Sequence, residues 1–342
     1  MTRPGLNVAV IGCGLIGRKR AEALGESDRL IGAYDVVTER ASDLVRDHSG
    51  TAYPSIEELL AEAPDVVVVA AVHDQLADLT EQALKAGAHV LVEKPAGISA
   101  AETDRLRAVA RETGKRVKVG FNHRFHPGLM RLAQEVHSGE HGELMHLRGR
   151  YGHGGRPGYD REWRAEPARS GGGELIDQGM HLLDLTHWIA GPLPLHSALL
   201  RTQFWDTPVD DNAALLLGEA DTRRGPWAML HVTWTEWKNL FSIEVYCRTA
   251  KLQVDGLVRS YGPQSLKIYR MGPELGPPEV EELTYGTDDL SWTTEWEHFA
   301  AGLETGAELL GNLDDAHYAW SCVEAAYASS EPYAAMRAPL AD

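Results

Sequence analysis

Two short segments of the 342-residue sequence carry side chains suited to acid–base chemistry. In one, Lys94 stands between a glutamate and a proline at the end of an apolar run. In the other, Asp177 precedes His181 by four positions, after three consecutive glycines. A histidine with a carboxylate one helical turn away can accept and return a proton near neutral pH, because the carboxylate orients the ring and raises its pKa. We therefore interpret Asp177 and His181 as an acid–base unit.

Two other interpretations of this second segment stay open. If residues 175–188 form a helix, then Asp177, His181 and Asp184 share one face. Such a face could supply half of a metal site, but the sequence offers no complementary pair of histidine or glutamate ligands, so we predict no metal. The face could also be an ordinary polar surface exposed to solvent.

A glycine motif near the N-terminus points to a dinucleotide. Gly12, Gly14 and Gly17 match G-x-G-x-x-G between a predicted strand and a predicted helix. The first glycine allows a tight turn, the second lets the backbone approach a pyrophosphate, and the third lets the helix pack on the strand. Asp35 ends the next predicted strand and can accept both ribose hydroxyls. A carboxylate there repels a 2′-phosphate, and Val36 rather than an arginine follows it, so we favour NAD over NADP.

The first third of the chain alternates strand and helix signals. Near-continuous apolar strands separated by helices indicate a parallel sheet covered on both faces, which makes residues 1–121 one doubly wound α/β domain. Ligands of such domains bind beyond the carboxyl ends of the strands, so Lys94 is expected to point into the cleft. The predicted strands are residues 6–11, 30–34, 66–72, 89–92 and 117–119.

Residues 122–342 form a second domain with a different pattern. Helices are predicted at 129–136 and 175–188, and two further helices close the chain. Between them lie longer strands separated by turn signals, which predicts an α+β domain with a large open, mostly antiparallel sheet. Its C-terminal helices could pack back on the first domain. The predicted strands are residues 144–149, 195–204, 213–218, 227–236, 241–246, 251–254 and 265–269.

Composition narrows the possible partners. With 33 basic and 50 acidic side chains, the formal net charge is −17, which repels phosphate backbones and argues against nucleic-acid binding. No apolar run approaches the ~20 residues that span a bilayer. The three cysteines are scattered and form no C-x-x-C pair, so we expect a reduced, cytoplasmic protein without membrane attachment.

Taken together, these motifs resemble the Gfo/Idh/MocA oxidoreductases, typified by glucose–fructose oxidoreductase and myo-inositol dehydrogenase. The resemblance covers nearly the whole chain. It implies an N-terminal Rossmann domain and a C-terminal α/β domain whose large sheet forms oligomer interfaces. The matching segments are residues 12–17, Asp35, residues 86–95, residues 120–125, Trp163-Arg164 and the spacing Gly171-Gly172-Gly173-x₃-Asp177-x-Gly179-x-His181-x₂-Asp184.

The resemblance also implies residue roles. Lys94, Asp177 and His181 would be catalytic, with His181 as the acid/base, Lys94 holding and polarising the substrate hydroxyl, and Asp177 orienting and tuning. Substrate contacts are expected from Lys94, Arg124, Tyr151, Trp163, Asp177 and His181. Cofactor contacts are expected from Gly12, Gly14, Leu15, Ile16, Gly17, Asp35, Val36, Ala71, Val72, His73, Glu93, Lys94, Asn122, Trp163 and Arg164.

One segment departs from the family pattern. Where the family usually has Thr-Pro-Asn, this sequence has Ala71-Val72-His73, so only backbone contacts with the cofactor carry over. The side chain of His73 is our own candidate for the site.

The implied function is NAD-dependent interconversion of a secondary hydroxyl and a ketone on a sugar, amino sugar or cyclitol. Two alternatives are an NAD-dependent glycoside hydrolase that oxidises its substrate transiently, and a non-catalytic NAD(H)-binding regulatory protein. The expected partners are a small polyhydroxylated substrate and further copies of the chain, as a homodimer or homotetramer.

Overall fold

The computed structural model describes residues 4–274 and 276–334. Contacts between Cα atoms divide the chain into two compact units. Unit 1 comprises residues 1–122 together with 291–317, and unit 2 comprises residues 123–290 together with 318–342. Each unit contains one sheet. No helix in the described residues is long and apolar enough to cross a bilayer.

The sheet of unit 1 has six parallel strands in the order β3-β2-β1-β4-β5-β6. Its central strand β4 is a run of four buried valines, as expected for a strand covered on both faces. The strand order reverses between β1 and β4, which is the usual place for ligands in such sheets. The strands are β1 (Asn7–Ile11), β2 (Arg29–Tyr34), β3 (Thr51–Ala52), β4 (Val66–Val69), β5 (His89–Val92) and β6 (Val117–Val119).

Helices connect these strands, and side chains cap two of them. The Oγ atoms of Ser55 and Ser99 accept hydrogen bonds from the backbone N–H groups three residues further on, at 3.1 and 3.2 Å. Each bond satisfies one of the free N–H donors at a helix start. The helices are α1 (Leu15–Glu22), α2 (Thr38–His48), α3 (Ile56–Ala61), α4 (His73–Lys85), α5 (Ala100–Thr113) and, later in the chain, α10 (Ser291–Thr305).

The sheet of unit 2 has eight strands in the order β14-β13-β12-β11-β7-β10-β9-β8. All neighbours are antiparallel except β7 and β10. The edge strand β14 was not predicted from the sequence, because half of its residues are glutamates and none of its side chains is buried, so no apolar run marks it. The strands are β7 (Leu144–Gly152), β8 (Leu195–Arg201), β9 (Asn212–Leu217), β10 (Trp227–Thr233), β11 (Leu240–Cys247), β12 (Ala250–Asp255), β13 (Ser265–Arg270) and β14 (Glu279–Thr284).

The helix predicted at 175–188 is two helices that meet at Gln178. Asp177 ends the first and His181 lies in the second, so the prediction that Asp177, His181 and Asp184 share one helix face is wrong. The helices of unit 2 are α6 (Pro127–His137), α7 (Pro167–Ser170), α8 (Glu174–Asp177), α9 (Gly179–Ala190) and α12 (Glu331–Ala334); α11 (Leu313–Ala328) runs across the boundary of the two units.

Candidate active site

The glycine loop of unit 1 has the geometry of a dinucleotide-binding turn. Gly12 has φ +91°, and a Cβ atom there would lie 2.5 Å from the carbonyl oxygen of Ala70. A Cβ on Gly17 would lie 1.9 Å from the carbonyl oxygen of Gly12. A Cβ on Gly14 would meet nothing within 4 Å, so this glycine borders open space at the start of α1. Two glycines are therefore needed for packing, and the third leaves room for a pyrophosphate at a helix N-terminus.

Asp35 is held in place by the loop that it faces. Its Oδ2 accepts the N–H of Cys13 at 2.7 Å, and its Oδ1 accepts the N–H of Val37 at 2.8 Å. The neighbouring side chains of Leu15 and Val36 are 72% and 85% exposed. A fixed carboxylate beside exposed apolar side chains fits the adenosine end of NAD, because ribose hydroxyls need an acceptor and an adenine ring needs an apolar contact.

The thiol of Cys13 takes no part in this site. Burial and, to a smaller extent, the nearby charge of Asp35 raise the pKa of Cys13 to about 12. A thiol in this state is protonated and unreactive at neutral pH.

Lys94 follows β5 and is half-buried, and its bond to Pro95 is cis. The preceding Glu93 lies in an ionic cluster, defined here as Arg20, Glu93, Lys118 and Glu295. Arg20 Nε lies 2.6 Å from Glu93 Oε1, and Arg20 Nη1 lies 2.5 Å from Glu295 Oε2. Lys118 Nζ lies 2.6 Å from Glu295 Oε1. The backbone just before Lys94 is therefore fixed by two positive and two negative buried charges.

The other cofactor candidates of unit 1 lie at the same edge of the sheet. Ala71 and Val72 join β4 to α4, and His73 begins α4 with 5% of its surface exposed. Asn122 donates a hydrogen bond from Nδ2 to Ser291 Oγ at 2.9 Å. Because parallel strands end at a common edge, these residues follow the carboxyl ends of β4 and β6 as expected. Their contacts with NAD stay predictions.

In unit 2, a buried aspartate far away in the sequence organises the start of α8. Asp210 accepts the N–H groups of Gly173 and Leu175 on its carboxylate at 3.1 and 2.9 Å, and its carbonyl oxygen accepts the N–H of Glu174 at 2.9 Å. The hydroxyl of Tyr327 donates to the same carboxylate. A Cβ on Gly173 would lie 1.9 Å from the carbonyl oxygen of Asp210. The glycine run thus allows close contact with Asp210, which sets where Asp177 lies.

Asp177 is close to one cation and one phenol. Its Oδ2 lies 3.4 Å from Arg164 Nε and accepts the hydroxyl of Tyr159 at 3.3 Å. Arg164 also stacks over the ring of Trp163, 4.5 Å from its centroid. Burial raises the pKa of Tyr159, and the charge of Asp177 adds to this effect, so the phenol stays protonated. The predicted residues Trp163, Arg164 and Asp177 are thus in one contact group.

His181 belongs to a group that we call the imidazole–tyrosine cluster: His123, Tyr151, His181 and Tyr261. The rings of His181 and His123 stack with centroids 3.8 Å apart, and His123 Nε2 lies 3.1 Å from Tyr151 Oη. Tyr261 accepts a hydrogen bond from Gln178 Nε2 at 2.9 Å. Burial raises the pKa values of Tyr151 and Tyr261, so both phenols are protonated donors.

His123 and Tyr261 were not predicted as site residues from the sequence. His123 lies in the segment 120–125, which carries part of the family resemblance. Its neighbours Asn122 and Arg124 were predicted as site residues and could have pointed to it. Tyr261 lies in a loop 80 positions beyond His181, and no spacing pattern joins them.

Arg124 and Asp184 form a buried bidentate ion pair. Arg124 Nε and Nη2 lie 2.8 and 2.6 Å from the two carboxylate oxygens of Asp184. Arg124 is 2% exposed and Asp184 is fully buried. This pair attaches α9 to the segment before α6, and a substrate contact for Arg124 stays a prediction.

The residues that could together hold a metal ion in the structure are not those that the sequence spacing had grouped. In the described residues, ligand atoms of His153, Glu174 and Asp177 lie within 4.8 Å of one another. The spacing had instead grouped Asp177 with His181 and Asp184. Asp184 is bound to Arg124, which leaves it unsuited to such a role.

Comparison with known proteins agrees with these observations. Residues 6–121 match the family model described as "Oxidoreductase family, NAD-binding Rossmann fold", and residues 129–253 match the "GFO/IDH/MocA C-terminal domain". The chain therefore belongs to the Gfo/Idh/MocA family of oxidoreductases, and its N-terminal domain is the NAD-binding Rossmann fold of that family. The family, the fold class and NAD as cofactor were predicted from the sequence, and all three are confirmed.

Individual relatives are distant. The chain is 33% identical to UDP-N-acetylglucosamine 3-dehydrogenase of Acidithiobacillus ferrooxidans over 38% of this chain and 41% of that protein. It is 25% identical to inositol 2-dehydrogenase of Rhizobium meliloti over 94% of this chain and 95% of that protein. A solved structure of the Acidithiobacillus enzyme has a TM-score of 0.81 at 21% identity, with 97% of this chain and 99% of that chain covered, which shows a shared fold. Alignments with the first three curated relatives span 61%, 41% and 53% of their lengths.

Proposed function

We propose that this protein is an NAD-dependent dehydrogenase that interconverts a secondary hydroxyl and a ketone on a sugar, amino sugar or cyclitol. The observation that carries the proposal is the buried imidazole of His181, stacked on His123 within a cluster of protonated phenols. A histidine in a mainly neutral, water-poor setting can accept a hydroxyl proton and return it. The relatives with named activities on sugars and inositol support the substrate class.

In the proposed reaction, His181 takes the hydroxyl proton in the oxidative direction and returns it in the reductive direction. Lys94 donates a hydrogen bond to the substrate oxygen and stabilises its developing negative charge. Asp177, held by Arg164 and Tyr159, orients the substrate and tunes the acid–base group. NAD, when bound, supplies the two-electron acceptor for the hydride. We propose that the glycine loop, Asp35 and the other predicted cofactor residues hold it.

The experiment compares wild type with His181→Gln on a panel of alcohols: myo-inositol, glucose, glucosamine and UDP-N-acetylglucosamine. NADH formation is followed by absorbance, and NAD affinity by calorimetry. Loss of one positioned acid–base group should lower kcat by about 10²–10⁴-fold while NAD affinity is retained. His196→Gln, which changes an exposed histidine of β8, is the matched control.

Three results would contradict the proposal in different ways. Full turnover by His181→Gln would remove His181 from the acid–base role. Release of an aglycone from a glycoside without net NADH would favour the glycosidase alternative. NAD binding with no turnover of any alcohol in the panel would favour the regulatory alternative.

We also propose that the protein is a homo-oligomer, either a dimer or a tetramer, assembled through the sheet of unit 2. Large apolar side chains are exposed on four of its adjacent strands, and apolar patches of this kind mark interaction surfaces. Light scattering that finds a monomer would exclude this assembly. The side chains are Met145, Leu199, Leu216, Trp227 and Met229.

A further inference from the structure

A row of aromatic side chains leads from Asp177 to the surface of unit 2. We call Tyr159, Trp205, Phe204 and Trp237 the aromatic ladder. The ring centroids of Tyr159 and Trp205 are 5.8 Å apart, those of Trp205 and Phe204 5.1 Å, and those of Phe204 and Trp237 4.9 Å. Exposure rises along the row from 5% at Tyr159 to 59% at Phe204 and 68% at Trp237. The ladder therefore begins in the core and ends in solvent.

The inner end of the ladder touches the candidate active site directly. The hydroxyl of Tyr159 donates to Asp177 Oδ2 at 3.3 Å. The ring of His153 meets the ring of Tyr159 edge-on, with centroids 5.5 Å apart. The aromatic row therefore starts at a residue in contact with Asp177 and reaches the surface within unit 2.

Phe204 and Trp205 lie on a backbone segment that one carboxylate holds in place. The buried carboxylate of Asp211 accepts the backbone N–H groups of Gln203, Phe204 and Trp205 at 2.8, 2.8 and 3.0 Å. Trp205 Nε1 donates to the carbonyl oxygen of Trp234 at 3.0 Å. Exposed aromatic rings on a loop fixed by three hydrogen bonds to a carboxylate lose little conformational entropy when a ligand stacks on them.

Glycines beneath the ladder make room for its rings. A Cβ atom on Gly155 would lie 2.6 Å from Trp205 Cζ2, and one on Gly154 would lie 3.2 Å from Trp237 Cε3. The loop after β7 thus packs its bare backbone against the two indoles. The aromatic groups are built into the structure and are not isolated surface residues.

We propose that the outer ladder, Phe204 and Trp237 next to Trp205, is a binding subsite for a second sugar ring joined to the ring that is oxidised. This inference rests on the proposed function, because it starts from the ring held at Asp177. A pyranose has an apolar C–H face that stacks on an aromatic side chain, while its hydroxyls need polar neighbours. Glu236, Lys238 and Asn239 flank Trp237 in the sequence and supply such groups.

The test measures binding of matched one-ring and two-ring probes to the NAD-loaded protein by calorimetry. The pairs are methyl β-glucoside with cellobiose, methyl α-glucoside with maltose, and N-acetylglucosamine with chitobiose. At least one two-ring probe should bind several-fold more tightly than its one-ring partner. Phe204→Ser and Trp237→Ser should each reduce this advantage by about 2- to 10-fold, the range expected for one aromatic contact, and Trp237→Tyr should largely retain it.

Met271→Ser is the control for loss of an exposed apolar side chain. Met271 is 62% exposed and follows the end of β13. Trp237 precedes the start of β11 at Leu240, and the strand register places Met271 at the opposite end of the sheet. The two-ring advantage should therefore survive the removal of the Met271 side chain. The subsite is wrong if no two-ring probe has an advantage in wild type, or if the advantage survives the double variant Phe204→Ser/Trp237→Ser. A change of oligomeric mass in these variants, measured by light scattering, would show instead that a second copy covers the ladder.

The two proposals can fail separately. NADH formation from one-ring alcohols without any two-ring advantage would leave the proposed function standing and reject the subsite. A two-ring advantage that the ladder variants abolish, without NADH formation from any probe, would support the subsite and reject the proposed function.

Discussion

The ionic cluster of unit 1 and the imidazole–tyrosine cluster of unit 2 use buried polar side chains in opposite ways. The ionic cluster of unit 1 contains four charged groups, each within 2.6 Å of a group of opposite charge. The imidazole–tyrosine cluster of unit 2 contains stacked imidazoles and phenols. In unit 1, burial alone would raise the pKa of Glu295, but Arg20 and Lys118 hold it below its usual value. In unit 2, burial dominates and keeps Tyr151 and Tyr261 protonated.

The two clusters have different physical consequences. Paired buried charges keep their protonation state and fix a backbone position, here the one next to Lys94. Buried phenols whose pKa is raised stay neutral, so Tyr151 and Tyr261 can hydrogen-bond to their neighbours without adding charge next to the imidazoles. Under the proposed function, unit 1 would hold the cofactor and carry Lys94, and unit 2 would carry the acid–base histidine.

The largest expected effect comes from breaking the ionic cluster. Glu295→Gln leaves Arg20 with one carboxylate and removes the carboxylate partner of Lys118. Because this change leaves excess buried positive charge, the free energy of unfolding in urea should fall by about 3–5 kcal/mol.

The matched control for that variant is an exposed ion pair of the same unit. Arg105 Nη2 lies 2.6 Å from Asp78 Oδ1, and both side chains are well exposed. Arg105→Gln should lower the free energy of unfolding by less than about 1 kcal/mol. Equal losses of unfolding free energy in the two variants would show that burial does not determine how much these ion pairs stabilise the protein.

A pH effect of intermediate size is expected beside the imidazole–tyrosine cluster. Burial lowers the pKa of His126 from 6.5 to about 4, although Asp289, 4.0 Å away, acts against this shift. Between pH 6.5 and about pH 4, the unfolded chain therefore binds more protons than the folded chain. Stability due to neutral His126 is complete above pH 6.5 and is lost as the pH falls towards 4, by about 3 kcal/mol in total.

The measurement is the free energy of unfolding from pH 7.5 to 4 in wild type and in His126→Gln. The variant should show a smaller loss in acid, and His196→Gln, at an exposed position, should keep the wild-type slope. An unchanged slope in His126→Gln would show that this ring is not the group that titrates.

The smallest effect is expected at Asp210, the buried carboxylate of unit 2 that neutral donors satisfy. Burial raises its pKa, and the hydroxyl of Tyr327 acts in the opposite direction. Tyr327→Phe removes a hydroxyl that donates to Asp210 and accepts the N–H of Gly173 at 2.9 Å, so thermal unfolding should report a loss of about 1.5–3 kcal/mol for the two hydrogen bonds together. Tyr333→Phe, which removes a bond of 2.7 Å to the neutral Thr202, should lose only about 0.5–1.5 kcal/mol. The reverse order would argue against Asp210 as the anchor of α8.

Local patterns in the sequence were sufficient for most of the fold. Five of the six strands of unit 1 were predicted, because each is a short apolar run between turn residues, whereas the two-residue strand β3 was not. The glycine motif with Asp35 was found because its residues follow one another in one βα unit. The strand β14 was missed because its side chains face solvent, so no burial pattern marks it. The candidate residues of the site were named from motifs, but their contacts were not.

The class of this protein could be predicted from the sequence alone, since periodicity and the glycine turn depend on neighbouring residues. Three features could be known only from the folded chain: a helix ends before Gln178, Asp184 pairs with Arg124, and His123 stacks on His181. Each of these features depends on groups brought together from distant positions, as Asp210 is at the start of α8. Such contacts cannot be predicted from periodicity along the chain, because their energies arise only when the chain has packed.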